Sequence, residues 1–123
     1  MKNFKILITD DSSISRNKIK KTLASFVNIE FSEAGDGLEA LQKIKNQHFD
    51  CIILDILMPN LNGIELLHEL KKMGIKIPTI IISADIQTTT TQKCKELGAV
   101  TVLRKPADEQ KLQEIIQSLT INH

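Results

Sequence analysis

The sequence predicts an α/β fold, a doubly wound parallel sheet in a three-layer sandwich, and three observations carry that prediction. Short apolar runs alternate with amphipathic stretches across all 123 residues. Capping polar residues and glycines punctuate the change from one to the next. Four of the five apolar runs end on a reactive or charged side chain, which would gather those groups at one edge of the sheet.

Each element has its own justification. Phe4 to Thr9 reads as the first strand, and Ser12 or Ser13 caps a helix running to about Phe26 with Ile19, Leu23 and Phe26 on one face. Ile29 to Ser32 is a weaker second strand. Asp36-Gly37 opens a helix with Leu38, Leu41 and Ile44 spaced for a single face. Cys51 to Leu54, wholly apolar, is a third strand buried on both faces. Asn62 caps a helix bearing Ile64, Leu67 and Leu70, which ends near Met73-Gly74, where glycine suits a left-handed cap. Thr79 to Ser83 is the fourth strand. Thr88 to Leu97 is a poorer helix, because four consecutive threonines lower its propensity, and Gly98 closes it. Val100 to Leu103 makes the fifth strand, and Asp108 caps a last helix with Leu112, Ile115, Ile116 and Leu119.

Composition narrows the function. A chain of 123 residues with 41% hydrophobic and 25% charged side chains is of a size to fold as a single domain without disulfide or structural metal. A formal net charge of +1 argues against a polyanion-binding surface, so no direct nucleic-acid role is expected. Cys51 and Cys94 match no metal-ligand spacing and read as buried free thiols in a reducing cytoplasm. Neither a signal peptide nor a membrane span is evident. His48, His68 and His123 read as surface residues.

In open α/β sheets the site lies beyond the carboxyl ends of the strands. Here those ends carry Asp10-Asp11, Asp55, Ser83 and Lys105. Taken singly, the first two acids could answer a helix dipole, Ser83 could bond nearby backbone, and Lys105 before Pro106 could be a solvated loop residue. Asp55 resists such a reading, since four apolar residues precede it and nothing adjacent neutralises it. Three carboxylates brought close would repel one another, and a magnesium ion resolves that repulsion while sharing phosphate oxygens with a substrate. With Lys105 and the Ser83 hydroxyl nearby, Asp55 becomes a nucleophile suited to forming an aspartyl phosphate.

Asp10-Asp11, Asp55 with Met58-Pro59 and Gly63, Ser83-Ala84 and Lys105-Pro106 together resemble the receiver domain of bacterial two-component response regulators, of the stand-alone CheY type. The resemblance covers essentially the whole chain. It implies a flavodoxin-like sheet in the order 2-1-3-4-5, a strand order known for that family and taken from the resemblance. It implies that Asp55 accepts a phosphoryl group from a histidine kinase or phosphotransfer protein. Magnesium would be held by Asp11, Asp55 and the Leu57 carbonyl, with Asp10 acting mainly through a bound water. Ser83 and Lys105 would each meet a phosphoryl oxygen, and the Lys105-Pro106 bond would be cis.

The resemblance also implies a kinase contact around Ser13 to Asn17 and an output surface over roughly Thr88 to Leu119, directed at an unknown downstream protein. A single receiver domain without an output domain is expected, as a monomer or a weak phosphorylation-dependent dimer. The pattern departs at Val102, where many receivers carry Tyr or Phe, so an aromatic rotamer switch is not expected. Leu57 and Asp85 occupy places that tune dephosphorylation in that family. A haloacid-dehalogenase-type phosphatase would need an acid where Leu57 stands, and a dinucleotide site would need glycines where Asp10-Asp11-Ser12-Ser13 stands. A pure interaction module would not need the full set of site residues.

Overall fold

The computed structural model describes residues 3–84 and 87–121, apart from the side chains of 88 and 89. The elements run β1 (Phe4–Thr9), α1 (Ser13–Thr22), β2 (Ile29–Ala34), α2 (Gly37–Asn46) and β3 (Cys51–Leu54), then α3 (Gly63–Lys72), β4 (Thr79–Ser83), α4 (Thr88–Glu96), β5 (Ala99–Arg104) and α5 (Glu109–Ile121). All strand pairs are parallel, in the order β2-β1-β3-β4-β5.

Residues alternate faces along each strand, and both faces of the sheet are covered. Leu7, Ile52, Leu54 and Ile81 pack beneath α2, α3 and α4, against Ala40, Ile44, Leu66, Leu70 and Cys94. Ile6, Ile8, Ile53, Ile80 and Ile82 face the other way, onto Ile19 and Leu23 with Leu112 and Ile116 of α5. Each such side chain contributes about 1.5–3 kcal/mol through burial.

The capping residues act as expected. Ser12 Oγ accepts from the Ser15 amide, and Asp108 Oδ1 from the Lys111 amide. Asn62 goes further, since its Oδ1 accepts from the Glu65 amide while Glu65 Oε1 accepts from the Asn62 amide, which completes a capping box. Gly74 takes a φ of +70° after α3.

Several boundaries and one face differ from the sequence reading. α1 ends at Thr22, and the residues up to Phe26 continue as tight turns, with Ala24 bonded to Lys21 and Phe26 to Leu23. The apolar spacing nonetheless carries Leu23 and Phe26 into the core. β2 extends to Ala34, because its pairing with β1 persists as far as Thr9. β5 gains a residue at each end, from Ala99 to Arg104. In α2, Ile44 is buried and Leu41 packs against the core as expected, but Leu38 is 54% exposed, and Gly37 and Ala40 face inward in its place. Steric closeness sets that rotation: a Cβ on Gly37 would lie 2.0 Å from the Leu61 carbonyl oxygen, so only glycine permits this approach.

Candidate functional site

β1 and β3 lie side by side at the point where the chain reverses its direction of winding, which opens a crevice beyond their carboxyl ends. Thr9 pairs with Leu54, and the Asp55 amide donates to the Thr9 carbonyl at 2.9 Å. The two strands therefore release Asp10 and Asp55 next to each other. α3 begins directly against this edge, where a Cβ on Gly63 would meet the Asp55 carbonyl oxygen at 2.8 Å.

Carboxylate oxygens of Asp10, Asp11 and Asp55 lie within 4.8 Å of one another. Asp10 and Asp55 are buried, whereas Asp11 faces solvent. Lys105 comes from the end of β5, its amide bonded to the Ser83 carbonyl at 2.8 Å. Its ammonium donates to Asp10 Oδ2 at 2.8 Å and to Asp55 Oδ2 at 3.0 Å. The Lys105-Pro106 bond is cis, as the resemblance implied. Asp10 Oδ1 accepts from the Ser12 amide at 2.9 Å, and Asp55 Oδ1 from the Leu57 amide at 3.2 Å.

Burial pushes the Asp55 carboxyl above its usual range, and the hydrogen bonds from Lys105 and Leu57 counter this only in part. For Lys105, burial opposes the charged form, but hydrogen bonds to Asp10 and Asp55 outweigh it and raise the ammonium above its ordinary value. Two buried acids are thus balanced by one lysine, and a further positive charge would be favourable. Three hard oxygen donors open to solvent through Asp11 fit a small divalent cation such as magnesium.

Ser83 is buried at the end of β4, the strand beside β3. Leu57 is 57% exposed next to Asp55, and Val102 is half-buried against the core on the α2–α4 side of the sheet. Asp85 and His123 lie outside the described residues. His48 and His68 are exposed and away from the crevice, His48 being paired with Asp50. Cys51 and Cys94 are buried free thiols, and burial lifts the Cys51 thiol to about 12. Sequence reasoning did not single out Arg16. Its guanidinium donates to the Asp10 carbonyl at 2.6 Å and to Glu33 at 2.9 Å, which braces the first acid's backbone. Nothing in its spacing signals this, since the link crosses from α1 to β2.

Residues 6–117 match the family model of the response regulator receiver domain, and the chain belongs to that family. Receiver domains are phosphorylation-controlled signalling switches, and they generally use magnesium at an acidic pocket of the kind that Asp10, Asp11 and Asp55 form here. Among relatives, it is 38% identical to a protein-glutamate methylesterase/protein-glutamine glutaminase of Treponema denticola, over 99% of this chain and 34% of that protein. It is 34% identical to the transcriptional regulatory protein CpxR homolog of Haemophilus influenzae, over 94% of this chain and 49% of that one. The chain thus spans half or less of the length of these curated relatives.

Among solved structures, the receiver domain of the Francisella response regulator 1452 superposes with a TM-score of 0.87 at 34% identity, covering 95% of this chain and 96% of that one. The CheX–CheY complex of Borrelia burgdorferi, solved with BeF3 and magnesium, gives 0.85 at 32% identity, covering 95% and 89%. Among the described residues, no helix is long and apolar enough to cross a membrane.

Proposed function

We propose that Asp55 is the phosphoryl acceptor of this switch, with Lys105, Ser83, Asp10, Asp11 and the Leu57 carbonyl serving the transfer. The observation that carries the reading is Lys105, whose ammonium bridges Asp10 and Asp55 at 2.8 Å and 3.0 Å. Such a cation lowers the cost of ionising a buried carboxylate, and the ionised form can act as a nucleophile. An Asp55 oxygen attacks phosphorus of a phosphohistidine on a histidine kinase or phosphotransfer protein. The new O–P bond forms as the N–P bond breaks, and the released imidazole takes up a proton.

Lys105 then meets the oxygens of the transferred group, and Ser83 Oγ donates to another of them. Asp11, Asp55 and the Leu57 carbonyl would hold magnesium, with Asp10 acting through a water in its shell. When bound, the ion neutralises charge on the acids and on the phosphoryl oxygens. Loss of the phosphoryl group by hydrolysis returns Asp55 to its resting state, so this domain catalyses phosphoryl transfer to, and release from, its own Asp55. The added charge alters the surface over α4, β5 and α5, where a downstream protein would read it.

Intact-mass measurement after incubation with acetyl phosphate tests this directly. A single phosphoryl adduct is expected on the parent protein with magnesium and none on Asp55→Asn. An equal adduct on the variant, or none on the parent, would overturn the assignment.

A further inference from the structure

The loop between β3 and α3 carries Leu57 and is held at two places. At its base the Gly63 amide donates to the Ile56 carbonyl at 2.9 Å. At its tip Asn60 adopts a φ of +68°, a left-handed conformation that asparagine tolerates better than other side-chain-bearing residues. From there its amide Nδ2 donates to Asp36 Oδ2 at 2.8 Å, across 24 residues of sequence. The other oxygen of Asp36 caps α2 by accepting from the Glu39 amide at 2.8 Å. One carboxylate therefore joins the start of α2 to the tip of the loop. The adjoining contact of Gly37 with the Leu61 carbonyl seats the same loop against the same helix. Glycine would satisfy the backbone at position 60, so the asparagine side chain adds something beyond conformation: a bond to a charged acceptor.

We infer that Asn60 and Asp36 are positioning residues, a tether that holds the β3–α3 loop so that the Leu57 backbone faces Asp55. Leu57 lies between the base bond and the tip bond, and its amide already reaches Asp55 Oδ1 at 3.2 Å. A loop fixed only at its base would sample other directions for the Leu57 carbonyl and would lose part of the magnesium affinity to ordering it. The inference rests on the proposed use of that carbonyl at a magnesium-assisted acceptor.

The bond can be reversed in polarity, which provides the test. Asn60→Asp sets two carboxylates against each other, Asp36→Asn retains an oxygen for the α2 cap but opposes two amide groups, and the double variant restores a donor to an acceptor. Two quantities are read: amide hydrogen exchange of Leu57, Met58, Asn60 and Leu61 in metal-free protein, and the magnesium dissociation constant by titration calorimetry, since the chain has no tryptophan to report binding. Expected are faster exchange and about tenfold weaker magnesium binding in Asn60→Asp, with both recovered in the double variant. Asn60→Gly, which keeps the backbone conformation, should show the same loss if the charged variant does not fold.

A bond that is merely structural would lower thermal stability and leave the magnesium constant unchanged, and that result would overturn the tether. So would a double variant as weak as Asn60→Asp. Failure of the parent protein to bind magnesium would instead sink the proposed function, and this inference with it.

Discussion

Asp55 Oδ2 and Lys105 Nζ stand 3.0 Å apart across 50 residues of sequence, and the same nitrogen reaches Asp10. That contact makes the fold a precondition of the proposed chemistry, because the ends of β3 and β5 must both be in place before Asp55 and Lys105 meet.

Replacing the lysine separates its two roles. Lys105→Met leaves Asp10 and Asp55 buried side by side without a countercharge, so metal-free protein should lose about 1–3 kcal/mol in urea unfolding. Added magnesium should recover part of that stability while phosphorylation by acetyl phosphate stays impaired. Unchanged stability without metal would show that the ammonium does not balance the acids.

Gly37 offers a steric prediction. Gly37→Ala forces a methyl group to within 2.0 Å of the Leu61 carbonyl oxygen, and α2 or the loop must shift. Destabilisation of about 1–3 kcal/mol is expected. Gly35→Ala is the control, since a Cβ there meets only Glu39 Oε1 at 3.7 Å. Equal effects at the two positions would contradict the close approach.

Glu33 carries a pH-dependent contribution. Hydrogen bonds from Lys20, then Arg16, hold its carboxyl below the usual value of 4.5. A folded-state value below the unfolded one means the stabilisation is present above the unfolded value and is lost as pH falls through the lowered folded value. Its side chain is 37% exposed, so solvent screening limits the effect to about 0.2–1 kcal/mol. Glu33→Gln should be less stable than the parent at neutral pH, and the gap should close as the solution is acidified past the lowered value. A gap that persists at low pH would assign the loss to packing.

α4 is the helix with least local support. Its N-cap residue Gln87 makes no side-chain capping bond, and its first four residues are threonines. Amide exchange should be faster in α4 than in β3, whose four residues are all buried. Equal protection of the two, with and without phosphorylation, would contradict the weak local support of α4.

Much of the candidate site could be read from the chain because strand ends are marked locally. An apolar run stops, a polar residue follows, and parallel topology sends every such stop to one edge. Asp10, Asp11, Asp55, Ser83 and Lys105 were visible for that reason. The boundary of α1 was less so, since Ile19, Leu23 and Phe26 keep their spacing whether the last turn is a helix or a series of tighter turns. On α2 the spacing places Leu41 and Ile44 correctly but not Leu38, because the close contact of Gly37 with Leu61 governs the rotation.

Local patterning, through periodicity and capping, was enough to establish the alternating α/β architecture and the residues at its carboxyl edge. Three-dimensional packing was needed to pair Lys105 with both Asp10 and Asp55, to turn Gly37 against Leu61, to place Arg16 on the Asp10 carbonyl and to join Asn60 to Asp36. The reason is range. Periodicity and capping act over a few residues, whereas these contacts span 6 to 95 positions and depend on how whole elements approach one another.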